Sequence, residues 1–230
     1  MTEIDVLEKY GGRHWYLISK RRLIHQHISN KGKILVIGVG AGYLLQELDK
    51  RDFEVYGIDI DSKAIKYTKD KGCKTLILAN ALTIPFHDKC FDYVVASDVL
   101  EHIKNAGIVL NEIKRVMKGN AKFIFTVPAK ENLWSIHDIK LGHVKRYEKN
   151  NLKKILENHN FIIEKLQFWN SFLYPIIYMQ RRLNKSIHHD LYKSDRWYMN
   201  WLMPLILNIE SKISFIPFGT TLFGVVRKEM

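Results

Sequence analysis

Apolar and polar positions fall into blocks whose period changes along the chain. Residues 33–38, Lys-Ile-Leu-Val-Ile-Gly, form an unbroken apolar run that stops at glycines. Such a run predicts a strand covered on both faces, as in a parallel sheet. Over 43–51 the spacing turns helical, with Leu44, Leu45 and Leu48 on one side. Residues 53–59 predict the next strand, and 62–71 a helix capped by Asp61 or Ser62. Strands at 74–79 and 91–97, a helix over 104–117 and a strand at 121–127 continue the series. A helix over 149–158, a strand at 161–168 and a last strand at 220–228 complete it. This alternation predicts an α/β fold built on a doubly wound sheet. About fifty residues between the last two strands, rich in Trp, Tyr, Ile and basic groups, do not fit the alternation.

The chain has 230 residues, enough for one core and hence a single domain over 1–230. Its formal charge of +12 is unevenly placed. Residues 30–103 carry ten Lys and Arg against eleven Asp and Glu, whereas 140–196 carry twelve against five. The imbalance suits an anionic partner beside the second half, or serves solubility alone. Cys73 and Cys90 lack metal or redox spacing, which predicts a reduced, cytoplasmic setting and no metal site. No apolar leader core or membrane-length run is present in the sequence.

Chemistry concentrates at strand ends. Gly38-Val-Gly40-Ala-Gly42 lies between the first strand and its helix, where glycines allow a tight turn and close approach to a ligand. A tight loop without a ligand is the alternative. Asp59 ends the next strand, placed to accept hydrogen bonds from the ribose hydroxyls of a nucleoside cofactor. As an alternative it only caps the following helix. Dinucleotide enzymes place a third glycine one residue later, where this chain has Tyr43. The shorter spacing favours S-adenosylmethionine, which has no pyrophosphate to cradle.

These pieces, with Asn80-Ala-Leu-Thr-Ile-Pro-Phe86 and Phe91-Asp-Tyr-Val-Val-Ala-Ser-Asp-Val-Leu-Glu-His-Ile103, resemble the class I S-adenosylmethionine-dependent methyltransferases of the Leu-Glu-His branch. The resemblance covers roughly residues 10–168 and the last strand. It implies a Rossmann-like sheet, mostly parallel with an antiparallel last strand, plus a helical insertion at 169–219. That insertion would be a lid, a dimer contact or a membrane-facing element. Residues 1–30 would form lid helices, with His14-Trp15-Tyr16, Arg21 and Arg22 resembling a segment that covers the cofactor; burial of Trp15 and Tyr16 in the fold explains them equally. Gly38, Gly40 and Gly42 would lie under the methionine part, Asp59 would hold the ribose, and Ile60 would pack on the adenine. Asn80 and Ala81 would meet the adenine edge, and Ser97 the methionyl end. Two positions depart from the pattern. Val36 stands where an acid is usual, which would weaken the hold on the cofactor's ammonium group and leaves a non-catalytic relative as an alternative. Asn80 stands for the usual Asp, yet can still accept a hydrogen bond.

An oxygen acceptor needs a base. His102, just past the fourth strand, is one candidate, with a structural role as the alternative. His137, His143 and Tyr147 form a second group after the fifth strand, with Asp138 beside them and Arg146 available for an anionic acceptor; a solvated basic loop capping the next helix is the alternative. The expected activity is O-methylation of a small-molecule, glycan or lipid-linked acceptor, with RNA methylation as the alternative. No Asn-Pro-Pro-Tyr motif or appended RNA-binding module supports the latter, so nucleic acid is the weaker partner. Aromatic and aliphatic residues beside Arg181, Arg182, Lys185 and Arg196 suit an anionic membrane surface, and hence a peripheral position at the inner membrane; burial against protein would explain the same residues.

Overall fold

The computed structural model describes residues 3–29, 31–51, 53–183, 197–213 and 215–228. Two helices, α1 (Glu3–Tyr10) and α2 (Trp15–His25), precede the sheet. Then β1 (Lys33–Ile37), α3 (Tyr43–Asp49), β2 (Glu54–Asp59), α4 (Ser62–Asp70), β3 (Leu76–Leu78) and β4 (Phe91–Ser97) follow in turn. After them come α5 (Ala106–Val116), β5 (Met117–Pro128), α6 (Ile136–Lys140), α7 (Lys149–Asn158) and β6 (Phe161–Trp169). Two further helices, α8 (Tyr174–Arg182) and α9 (Trp197–Lys212), come before β7 (Thr221–Lys228). Residues 184–196 of the expected insertion, Lys185 and Arg196 among them, lie outside the described residues.

The seven strands form one sheet in the order β3-β2-β1-β4-β5-β7-β6. Strands β1 to β5 pair in parallel, and β7 runs antiparallel to both β5 and β6. The chain reverses its direction of winding between β1 and β4. In open sheets of this kind ligands bind outside the carboxyl ends of the strands at that reversal.

The continuous apolar run of β1 is explained by two cores. Leu35 and Ile37 enter one cluster with Val94, Phe123 and Phe125, while Ile34 and Val36 enter the other with Leu45, Val95 and Ile124. Alternate residues point to opposite faces of a strand, so a strand covered on both sides is apolar throughout. Val36, 2% exposed, thus packs among aliphatic side chains, where an acid would need its own partner.

One boundary differs from the periodicity. The helix ends at Val116 and β5 begins at once at Met117 rather than at 121. The register shifts between the Phe91 and Tyr93 pairings, and Asn120 takes a φ of 62° in the irregular stretch. The extra residues break the alternation on which the sequence pattern depends.

In the insertion, α9 packs along α2, and Gln26 Nε2 donates to Asn208 Oδ1 at 3.0 Å. Leu207 is buried in the second cluster. Ser171 N donates to Glu210 Oε1 at 2.9 Å, and Lys165 Nζ to the Ser211 carbonyl at 3.1 Å. One side of α9 is therefore tied to β6 and its turn, while Trp201, Leu202, Leu205 and Ile209 are exposed.

Candidate active site

The loop leaving β1 takes the backbone through the left-handed region three times, with φ of 72° at Gly38, 53° at Gly40 and 78° at Gly42. A Cβ on Gly38 would lie 2.5 Å from Val99 Cγ2, and one on Gly42 would lie 2.8 Å from Thr68 Cα. Conformation and space both require glycine. The turn is anchored to β2: Gly38 N donates to the Ile58 carbonyl at 2.9 Å, and Gly40 N to Asp59 Oδ2 at 3.2 Å. Asp59 Oδ1 accepts from Asp61 N at 2.9 Å. Burial pushes the Asp59 carboxyl up from its ordinary pKa, against the pull of these donors. Ile60, the next residue, is 73% exposed.

This edge fits S-adenosylmethionine. The Asp59 carboxylate could accept from ribose hydroxyls, exposed Ile60 could offer a face for adenine, and bare backbone lines the turn. Asn80 is exposed and its Oδ1 accepts from Leu82 N at 2.9 Å, so this side chain shapes its own turn. The oxygen retains a second lone pair. Ala81 is half-buried beside it. Ser97 Oγ lies 3.0 Å from Thr126 Oγ1, which donates to Asp98 Oδ1 at 2.8 Å. Leu7 of α1 stands over the glycine loop, its Cδ1 3.4 Å from where a Cβ on Gly40 would lie. Tyr43 holds that helix in place by donating to the Glu8 carbonyl at 2.9 Å.

Beside this edge a cavity encloses about 190 Å³. Leu7 belongs to its lining, as do Tyr16, Leu133, Leu141, Leu173 and Ile177. Its polar wall includes Lys20, Asp98, Glu101, His137, His143 and Arg146. Lys20 pairs with Asp98, which follows β4 with a φ of 56°. Burial disfavours the charged Asp98, but Lys20 and Thr126 outweigh it and hold the carboxyl below its ordinary pKa.

Asp138 is the hub of the wall. It is fully buried on α6 and accepts from Arg146 Nε at 2.8 Å, Ser135 N at 3.0 Å and His143 Nδ1 at 3.1 Å. Arg181 Nη1 approaches its other oxygen at 3.4 Å. Burial opposes the charge, but His143, Arg146 and Arg181 hold this carboxyl far below the usual range. A carboxylate only accepts, so His143 Nδ1 carries a proton, and in the neutral ring Nε2 holds the lone pair. That Nε2 lies 4.0 Å from Glu101 Oε1. His102 faces His143 edge-on with ring centroids 4.9 Å apart, and its Nδ1 lies 3.3 Å from the Gly142 carbonyl. Burial, then the neighbouring His143, lower the His102 pKa. The two histidines proposed separately as bases therefore form one group.

Two expectations need correction. Tyr147 is not placed for catalysis: it is buried and its hydroxyl donates to the Leu100 carbonyl at 2.9 Å. Burial also pushes its pKa well up. Arg181 is not a surface cation for lipid; its side chain is 9% exposed and paired with Asp138, and burial brings its pKa down to about 10. Ligand atoms of Glu101, His102 and His143 all lie within 4.8 Å of one another.

His137 lines the cavity from the first turn of α6. Trp15 and Tyr16 border the cavity. Trp15 is buried in the second core cluster, and Tyr16 stacks on Trp169 at 5.4 Å with its hydroxyl 3.0 Å from Thr221 Oγ1. Arg21 is buried, donating to Glu47 and to the Gly11 carbonyl, while Arg22 is exposed. Sequence reasoning missed Lys20, Glu101 and Asp98 as site residues, and quoted Asp138 without a role. The buried carboxylates stand beside residues it did single out.

Comparison with known proteins agrees with this architecture. An uncharacterised protein of Methanocaldococcus jannaschii is 32% identical over 148 residues, 61% of this chain and 64% of its own length. The chain thus spans less than two thirds of that relative. The ubiquinone biosynthesis O-methyltransferase of Rickettsia bellii is 28% identical over 170 residues, 66% of this chain and 70% of its own. Among solved structures, an S-adenosylmethionine-dependent methyltransferase from Archaeoglobus fulgidus superposes with a TM-score of 0.66 at 22% identity, covering 96% of this chain and 97% of that one. Residues 35–125, from within β1 to within β5, match the family model for a methyltransferase domain, and the sheet order and its antiparallel last strands give the chain the fold of these methyltransferase structures.

Proposed function

We propose that this chain transfers a methyl group from S-adenosylmethionine to a hydroxyl of a small acceptor with an apolar body. The observation that carries the reading is the cavity itself. Its aliphatic lining meets the Glu101–His143 wall, and it shares Leu7 with the cofactor loop. The cofactor supplies a methyl group already activated on sulfur, so the protein's part is positioning and proton handling. Leu133, Leu173 and Ile177 would hold the apolar body of the acceptor. Its hydroxyl would meet the Nε2 side of His143, which Asp138 orients and which is competent to receive the proton. Arg146 is spent on Asp138 and on the Ala129 carbonyl at 3.0 Å, so it shapes the wall rather than gripping an anionic acceptor.

The test is transfer of labelled methyl from the cofactor into separated lysate fractions: lipids, polysaccharide, RNA and small molecules. We expect label in the lipid or small-molecule fraction, in a product stable to base but lost with a hydroxyl-blocked acceptor. Label confined to RNA would overturn the acceptor assignment.

The relative active in ubiquinone biosynthesis and the exposed face of the insertion favour a lipid-linked acceptor met at an anionic bilayer. Ile176, Met179 and Leu183 of the α8 region and Trp201, Leu205 and Ile209 of α9 are exposed, with Trp201 71% so. Arg182 lies exposed among them and the surrounding 140–196 stretch is basic. Apolar side chains flanked by cations suit the headgroup boundary. Among the described residues no helix is long and apolar enough to cross a membrane. We expect sedimentation with anionic vesicles that weakens with salt and with Arg182→Glu, and is lost with Trp201→Asp/Met179→Asp. Protein left wholly in the supernatant at low salt would remove the membrane reading and leave a soluble acceptor.

A further inference from the structure

We infer that Glu101, His102 and His143 form a binding site for a divalent transition-metal ion of the zinc class, at the wall where the acceptor hydroxyl is received. Two imidazoles and a carboxylate are the donor set such ions favour, with positions left open for water or substrate.

Both imidazoles are already turned for the purpose. His143 Nδ1 is engaged by Asp138 Oδ1 at 3.1 Å, and His102 Nδ1 by the Gly142 carbonyl at 3.3 Å. Each partner is an oxygen that accepts, so in the neutral ring each histidine carries its proton on Nδ1 and presents the Nε2 lone pair. Metal-binding histidines have this arrangement, with a carboxylate or carbonyl behind the ring fixing tautomer and direction. Glu101 is fully buried and its Oε1 stands 4.0 Å from His143 Nε2. The backbone brings the pieces together: Val144 N donates to the Glu101 carbonyl at 2.8 Å, tying the loop of His143 to the turn of Glu101 and His102.

The ligand atoms lie within 4.8 Å of one another. Around a tetrahedral ion with bonds of about 2.1 Å, neighbouring ligands stand roughly 3.4 Å apart. Contraction by up to about 1.4 Å would close the set. Glu101 and His143 line the acceptor cavity, so the open coordination positions face it.

This inference rests on the methyl-transfer reading and specifies how the hydroxyl is activated. With the ion bound, His143 Nε2 would serve as a ligand in place of taking the proton itself; the ion would lower the hydroxyl pKa, and the proton would pass to solvent. The acceptor oxygen then forms the C–O bond as the C–S bond of the cofactor breaks and its electron pair returns to sulfur. The ion's charge does not change.

The test is calorimetric titration of the full chain with zinc and with cobalt(II) salts, together with the visible absorption of the cobalt form. We expect one equivalent to bind, with a cobalt spectrum of nitrogen and oxygen ligation. Glu101→Gln and His102→Ala should each weaken binding at least about 100-fold, and Asp138→Asn about 10–100-fold through the orientation of His143. Glu101→Gln carries a buried change, so the more exposed His102→Ala serves as the second variant. Binding equal in wild type and His102→Ala, or no binding to a protein that still binds S-adenosylhomocysteine, would overturn the inference and leave the methyl-transfer reading standing. Tight metal binding by a protein that binds neither form of the cofactor would overturn the methyl-transfer reading on which it rests.

Discussion

His143→Ala is expected to lower methyl-transfer turnover by about two orders of magnitude or more, as loss of a proton-handling group does, while S-adenosylhomocysteine binding is retained. The separation follows from where the side chain sits. Its Nδ1 is committed to Asp138 at 3.1 Å, and its Nε2 faces Glu101 and the cavity rather than the glycine loop. Receiving a proton and holding an ion both use that Nε2, so alanine removes either. The fold should survive, because the loop keeps its other ties. Arg146 still donates to Asp138 at 2.8 Å, and Val144 N to the Glu101 carbonyl. His102→Ala should lose rate in the same direction, since the two rings stand 4.9 Å apart on one wall. Single-turnover measurements with labelled cofactor, beside thermal melts of both variants, check this. Full rate in both would place acceptor activation elsewhere, for instance on an acceptor amine that is already neutral.

Periodicity and glycine spacing carried most of the fold because both are local properties. The β1 run, the three left-handed glycines and the Asp59 terminus can be read within a thirty-residue window, and the structure gathers them at one edge of the sheet. The β5 boundary escaped because an irregular pairing at 118–121 interrupts the alternation. The acceptor side was only half legible for a different reason. Its polar contacts join residues far apart in the chain: Lys20 with Asp98, Arg181 with Asp138, His102 with the carbonyl of Gly142. No spacing rule anticipates such pairs. Composition even misled, since Arg181 looks like a surface cation beside Arg182, yet one turns inward to a buried carboxylate and the other stays in solvent. Tyr147 erred in the same way: an ionisable residue near a candidate base, spent on a backbone carbonyl. Burial decides between chemistry and structure at such positions, and burial is what a single sequence conveys least.

Asp59 offers a sharp contrast between binding and stability. Asp59→Ala should weaken cofactor binding by about 1–3 kcal/mol, roughly 5–150-fold, because a charge-assisted hydrogen bond to the ribose is lost. The ligand-free protein should respond differently. Burial raises the Asp59 pKa in the folded chain despite the backbone donors at Gly40 and Asp61. An acid whose folded pKa lies above its unfolded value imposes no penalty while both states are protonated. The penalty develops as pH rises from the ordinary carboxylate range through the folded pKa, and stays constant above it. Asp59→Asn preserves shape and one accepting oxygen, and removes the charge. Its melting temperature without cofactor should therefore equal or exceed that of the wild type at neutral pH, with the gap closing as pH falls to the ordinary carboxylate range. Added S-adenosylhomocysteine should reverse the order, since ligand stabilises the fold in proportion to its affinity. Melts of the two proteins across pH, with and without that ligand, check both halves. A variant less stable than wild type without ligand at neutral pH would show that Asp59 is retained to hold the glycine turn. One that binds ligand as tightly as wild type would remove Asp59 from the cofactor site.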